Sequence, residues 1–276
     1  MVRSSPARGR LALTALAVAV AEAYSATGEA WQVGPARIYD RLADVLVAHS
    51  PAPLAGGTVV DVGAGTGAAG RAARRAGAAR VVAVDVAFGM LAHDPEAPTA
   101  AVGDALALPF RTATFDASVA AFVLNHLTEP VAGLAEMRRV TRPGGAVLAA
   151  AFSADDSHPV KAAVEAALET SGWTPAPWFS ALRDAALPVL ATVDGCAGAM
   201  RAAGVDPQVT KVRVPFPELN AYTLVEWRLG LAQHAPFFAA LPPERQQAVV
   251  EDAVARLGDR PEPLVRSVLV MAALTR

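Results

Sequence analysis

Two kinds of apolar pattern alternate through the middle third of the chain. The first is a short run that stops at glycine or aspartate, and the second repeats apolar residues at helical spacing. "TVVDVG" (58–63) predicts a buried strand, followed by a helix over "GRAARRAGAA" with arginines on its outer face. "RVVAVD" (80–85) predicts a second strand and "FGMLAHD" a short helix. "TAAVGD" (99–104) and "FDASVAAFV" (115–123) predict the third and fourth strands. "EPVAGLAEMRRV" predicts a helix with Leu134, Met137 and Val140 on one face, stopped by "RPGG" (142–145). "AVLAAAF" (146–152) is then the fifth strand. Strands alternating with helices in this way predict an α/β fold, a doubly wound and mostly parallel sheet with helices on both faces.

Beyond Phe152 the pattern loosens. Residues 153–207 read as apolar helices around "SGWTPAPWF", whose prolines and tryptophans argue against regular structure. "VTKVRVPF" (209–216) predicts a sixth strand and "LVRSVLVMAAL" (264–274) a long closing one, seven in all. Between them, 217–260 reads as helical, with "PPERQQAVVEDAVARLG" starting at its prolines and stopping at Gly258. All four tryptophans and all three tyrosines lie outside 58–153. They suit a small core among the outer helices, an aromatic pocket over the sheet, or both.

Composition narrows the partners. The 276 residues are 53% hydrophobic and carry a formal net charge of −2, which gives no electrostatic case for nucleic acid or a membrane surface. The lone cysteine, Cys196, reads as a small buried filler and points to a cytoplasmic location. Arg3, Arg8 and Arg10 ahead of "LALTALAVAVAEAY" resemble a signal peptide superficially. The run is too short and alanine-rich for a comfortable membrane span and continues into a helical pattern, so a packed or dimerising helix is expected.

The chemistry is concentrated in "VVDVGAGTGAAG" (59–70). Counted from Gly65, it is G-x-G-x-x-G, a dinucleotide turn, and Asp85 lies 20 residues later where such a fold wants a carboxylate. Counted from Asp61, it is D-x-G-x-G-x-G. A loop starting at Gly63 puts Asp61 at the carboxyl end of its strand, where a carboxylate suits a cationic ligand group better than a pyrophosphate.

Downstream, "GDALALPF", "FDASVAAFVLNHLTEP" and "LAEMRRVTRPGGAVLAAAF" follow in order. Together with the glycine stretch and Asp85, they make residues 58–153 resemble the class I S-adenosylmethionine (SAM)-dependent methyltransferases, in the small-molecule branch that includes the quinone-biosynthesis enzymes. The resemblance implies a SAM-binding core at 58–153, an N-terminal helical lid at 1–57, and 154–276 supplying the remaining strands with helical substrate-binding insertions, all in one structural domain. It implies that Gly63, Gly65 and Gly67 let the backbone approach the methionyl part of SAM, with Asp61 near its ammonium. Asp85 would take the ribose diol, Val86 and Met90 would flank the adenine, and Asp104 and the Ala105 amide would meet the adenine edge. Phe122 would line the methionyl end. Asp85 and Asp104 also read as a helix cap and a turn residue.

Methyl transfer needs no metal, and no metal-binding motif is present in the sequence. His126, just after strand four, is the candidate general base, with pocket shaping as its other reading. His158 and His234 are further candidates for reaching the substrate, whereas His49 and His93 read as surface residues. Tyr24, Trp31 and Tyr39 are expected to cover the cofactor. The function expected is transfer of a methyl group from SAM, leaving S-adenosylhomocysteine, to O, N or C of a small apolar or aromatic acceptor by a monomer or homodimer. An NAD(P)-dependent oxidoreductase, or a SAM-binding protein that does not methylate, is the alternative.

Overall fold

The computed structural model describes residues 6–94, 96, 99–185, 187–258 and 260–276, without the side chains of 6–14, 185 and 187. Arg3 of the signal-like segment lies outside these residues. Helices α1 (Pro6–Ser25), α2 (Gly28–Val33) and α3 (Ala36–Ala48) precede the first strand. The core then runs β1 (Thr58–Val62), α4 (Ala68–Arg75), β2 (Arg80–Asp85), α5 (Phe88–Leu91), β3 (Ala100–Val102), β4 (Phe115–Ala121), α6 (Pro130–Val140) and β5 (Thr141–Phe152). After it come α7 (Val160–Glu169), α8 (Pro177–Ala185), α9 (Leu187–Leu190), α10 (Val193–Ala202), β6 (Gln208–Phe216), α11 (Ala221–Leu229), α12 (Ala235–Ala239), α13 (Pro243–Leu257) and β7 (Leu264–Leu274).

The seven strands form one sheet in the order β3-β2-β1-β4-β5-β7-β6. β1 to β5 are parallel, and β7 runs antiparallel to both β5 and β6. Alternate residues along each strand enter two separate cores. Val59, Val81, Val119 and Leu148 pack under Leu42 and Leu46 of α3, Ala72 of α4 and Leu224 of α11. Val60, Val82, Val147 and Met271 face the other way, onto Leu134 and Met137 of α6 and Met200 of α10. Burial on both faces explains why these strands read as continuous apolar runs instead of alternating ones. Cys196 is fully buried in the second core, where burial pushes its thiol up to about 11, an inert filler as expected.

Several boundaries depart from the sequence expectation, each for a local reason. β3 ends at Val102 because the Asp104 carboxylate accepts from the Leu106 amide at 2.8 Å and turns the chain. β4 ends at Ala121 because Phe122 adopts a left-handed backbone, φ +63°. The "RPGG" segment is not a break. Thr141 already pairs with Phe115, and pairing resumes at Ala117–Ala146, so residues 142–145 bulge out within β5. α4 begins two residues before the expected helix and ends at Arg75, ahead of Gly77 at φ +91°. The last third of "SGWTPAPWF" is helical, since Pro177 opens α8, a position where its missing N–H costs nothing.

Candidate active site

Strand order reverses between β1 and β4, and ligands of open α/β sheets bind outside the carboxyl ends of the strands at such a point. Here the chain leaves β1 through Gly63, whose amide and that of Ala64 both donate to the Val84 carbonyl, at 2.8 and 3.0 Å. Gly63 has φ +66°, and a Cβ there would fall 2.3 Å from Val123 Cγ2. Only glycine allows the loop to pass this close to the end of β4. Beside it open two adjoining cavities, which share Val20, Gly63, Asp85, Val86, Val123 and His126.

Asp85 joins the glycine loop to β2. Its Oδ2 accepts from the Gly65 amide and its Oδ1 from the Ala87 amide, both at 2.8 Å. Burial raises its pKa, against the lowering effect of the Ala87, Gly65 and Val86 amides. It therefore serves as both turn anchor and cavity wall. Met90 and Phe122 line the first cavity, Val86 lines both, and Asp104 and Ala105 line the second. Asp104 is exposed and closes its own turn with one oxygen.

Two predicted residues are placed beneath the wall instead of in it. Asp61 is 1% exposed, and its Oδ2 accepts from the Gly70 amide at 2.7 Å, while its Oδ1 has no partner. Burial pushes this carboxyl up to about 7, above the usual carboxylate range. Gly67 caps α4 at φ +87°, and a Cβ there would meet the Asp94 carboxylate at 2.0 Å, so its constraint is Asp94. Sequence reasoning missed Asp94, and also Thr66, which lines the first cavity with a buried, unpartnered Oγ1. Thr66 stands inside the glycine stretch, and its hydroxyl was the available signal.

The roof of the first cavity is aromatic. Tyr24 of α1, Trp31 of α2 and Tyr39 of α3 all line it, as expected. Tyr39 meets Phe122 edge-on at 5.5 Å, and Phe122 stacks on Phe152 at 4.4 Å. Phe122 holds this place with a left-handed backbone, a strain of about 1–3 kcal/mol that tends to persist only where structure or function requires it. Tyr24 also approaches Trp178 of α8, at 6.3 Å between rings. The remaining tryptophans, Trp173 and Trp227, sit in the core of the outer helices, whereas Tyr222 is exposed.

His126 lies on a 3₁₀ turn, Leu124–His126, with its Nε2 3.3 Å from the Tyr24 hydroxyl and 3.3 Å from Asn125 Nδ2. Desolvation pushes its pKa down to about 4, so the ring is neutral at physiological pH. Burial raises the Tyr24 pKa, so Tyr24 keeps its proton and donates to Nε2. His234 and His158 do not reach this cavity. His234 is fully buried against Trp173, 5.0 Å between rings, and His158 binds the Glu262 carbonyl at 2.8 Å. His49 and His93 are exposed, each bonded to a carbonyl four residues back.

The donor set suits SAM. The glycine cradle leaves room for a ligand backbone, Thr66 offers an unmatched hydroxyl, Asp61 an unmatched carboxylate oxygen, and Asp85 an acceptor pair. No group of three or more metal-ligating side chains occurs among the described residues. No helix among them is long and apolar enough to cross a membrane.

A seven-stranded sheet with an antiparallel last strand and a glycine-walled crevice at the β1/β4 switch is the class I SAM-dependent methyltransferase fold. Residues 60–149 match the family described as Methyltransferase domain. Among curated relatives, the demethylmenaquinone methyltransferase of Renibacterium salmoninarum is 40% identical over 138 residues, 49% of this chain and 56% of that protein. The chain thus spans only about half the length of the relatives it matches. Among solved structures, one from Anabaena variabilis described as a methyltransferase from an antibiotic biosynthesis pathway aligns with TM-score 0.60 at 18% identity. It covers 85% of this chain and 97% of its own. Haemonchus contortus phosphoethanolamine N-methyltransferase 2, solved with SAM, aligns at 0.53 and 19%, covering 85% and 52%. The chain carries a methyltransferase domain and resembles the quinone-biosynthesis type.

Proposed function

We propose that the protein transfers a methyl group from SAM to O, N or C of a small apolar or aromatic acceptor. The observation that carries this is the continuity of the crevice: Gly63, Gly65 and Asp85 form one wall, and Tyr24, Trp31, Tyr39 and Phe122 form the other. When bound, SAM supplies a methyl group already activated by its positive sulfur. What remains for the protein is positioning, exclusion of water and disposal of a proton. Asp85 holds the ribose, Thr66 and the glycine loop hold the methionyl end, Asp61 lies below its ammonium, and Asp104 and Ala105 meet the adenine. Residues 1–57 act as the lid, 58–153 as the cofactor core and 154–276 as the substrate-binding part, in a cytoplasmic monomer or homodimer.

His126 takes the proton. A weakly basic imidazole accepts readily only from a nucleophile that has grown acidic, as an O–H or N–H does while its new bond to carbon forms. Tyr24 holds the ring by occupying Nε2 until the acceptor displaces it. The oxidoreductase reading is not favoured, because residues 60–149 match a methyltransferase family.

The curated relatives act on demethylmenaquinone. That molecule and simple phenols or amines form the acceptor panel, with formation of S-adenosylhomocysteine as the readout. His126→Gln is expected to lower kcat by about 10²–10⁴-fold, and wild-type turnover should be flat above about pH 5. Full turnover by the variant at every pH would remove the base role.

A further inference from the structure

Apart from the two cofactor cavities, α7, α11 and the start of β7 line a small cleft. Arg266, on β7, is 7% exposed and fixed by Asp156, with Nε at 3.1 Å and Nη2 at 2.6 Å from its two oxygens. Its guanidinium lies 3.9 Å over the Phe152 ring and 4.9 Å over Trp227. Arg228 lies 5.6 Å over the same indole, and among the described residues its one ion pair is a loose one with Glu165, at 3.7 Å. Three cations, Arg228, Arg266 and Lys161, therefore meet two carboxylates, and Lys161 makes no ion pair among the described residues.

Two residues that line this cleft each carry an unmatched buried donor. Trp227 is 3% exposed with its Nε1–H unpartnered, and the Arg228 Nε–H is likewise buried without an acceptor. Desolvation has pushed Arg228 down to about 10, the cost of a cation without a full counter-charge. Buried donors in native structures almost always have an acceptor, and surplus positive charge specifies which kind.

We propose that this cleft binds a small oxyanion, a carboxylate above all, held by the Trp227 Nε1–H, the Arg228 Nε–H and the Lys161 ammonium. The site stands apart from methyl transfer: no residue lines both this cleft and the cofactor cavities. The carboxylate belongs either to a free small acid or to the acid group of a larger ring-bearing molecule.

The test is titration of the full chain with sodium acetate and, separately, with 3-phenylpropionate, at ionic strength held constant with chloride. Binding is read by calorimetry and by the ¹H–¹⁵N resonance of the Trp227 indole. The indole resonance is expected to move on saturation, because its N–H gains an acceptor. Lys161→Gln, at an exposed position, should weaken binding about threefold, and Trp227→Phe about tenfold. SAM affinity should be unchanged in Lys161→Gln. Binding of acetate identifies a free small acid, and binding of 3-phenylpropionate alone identifies an acid group on a ring-bearing ligand. An indole resonance that neither acid moves, or binding unaltered in Lys161→Gln, would overturn the proposal. Trp227→Phe alters a buried ring, so the exposed variant and the wild-type resonance decide the matter even if it folds poorly.

Discussion

The floor of the cavity is made of backbone, and its roof is made of side chains. On the floor, Gly63 and Gly65 present bare backbone to the cavity, their amides bonded to the Val84 carbonyl and to Asp85, and Asp85 itself is fixed by two amides. On the roof, Tyr24, Trp31 and Tyr39 come from three different helices, and Tyr39 meets Phe122, just past β4, and Phe152 of β5. The floor tolerates little substitution because its shape is set by φ angles and close approach. The roof tolerates much, because one large ring can replace another with repacking. The division matches the comparisons: the family model covers 60–149, which holds the floor and Phe122, and none of the three helices that carry the rest of the roof. A cofactor common to many enzymes fits the first kind of surface, and an acceptor particular to one enzyme fits the second.

The sharpest break of this contrast is Gly63→Ala. With φ +66° and a Cβ 2.3 Å from Val123, the variant should lose SAM affinity by at least about 100-fold and about 2–4 kcal/mol of stability. Gly56→Ala is the control. It also has positive φ, +73°, but nothing lies within 4 Å, so it should cost about 1 kcal/mol and leave SAM binding alone. Calorimetry and thermal unfolding of the pair separate floor geometry from general glycine strain.

Tyr24→Phe tests the roof. It keeps the ring against Trp31 and Trp178 and removes only the hydroxyl beside His126 Nε2. Turnover kinetics should show kcat/KM for the acceptor changed about tenfold, with SAM affinity held within about twofold. An equal loss of SAM affinity would erase the distinction between the two surfaces.

The smallest expected effect is at Asp61, beneath the floor. Burial raises this carboxyl to about 7 in the folded protein. Between the unfolded value near 4 and that value, the folded state keeps a proton that the unfolded chain has lost, so stability falls as pH rises through this window. Asp61→Asn removes that slope while keeping an oxygen for the Gly70 amide. The variant should match wild type near pH 4 and be about 2 kcal/mol more stable at pH 8, as read by denaturant unfolding. If Asp61 is the counter-charge proposed for the SAM ammonium, the variant should bind SAM about tenfold more weakly at pH 8. Variant and wild type losing stability in parallel would assign the carboxylate a purely structural role.

The floor was legible from "VVDVGAGTGAAG" because glycine spacing is a local signal, whereas Asp61, expected at the crevice, lies beneath it. Closing strand β7 was equally legible, its bounds falling at 264–274 as expected from one unbroken apolar run. The loop after β3 was less so. A backbone hydrogen bond to Asp104, not hydropathy, ends that strand. The bulge at 142–145 was misjudged because proline and glycine signal a stop equally well in a helix exit and in a strand irregularity. Gly67 pointed to a ligand, but its neighbour is Asp94, 27 residues away in sequence. His126 was found as a residue, and its neutral state was not, since desolvation depends on which rings α1 brings over it.

The central claim is that the crevice at the β1/β4 switch holds SAM. Calorimetric titration of the full chain with SAM, S-adenosylhomocysteine and NADH in parallel tests it directly. Saturable one-to-one binding of SAM and S-adenosylhomocysteine, lost in Gly63→Ala and absent for NADH, is the predicted result. Tight binding of NADH with none of SAM would contradict it.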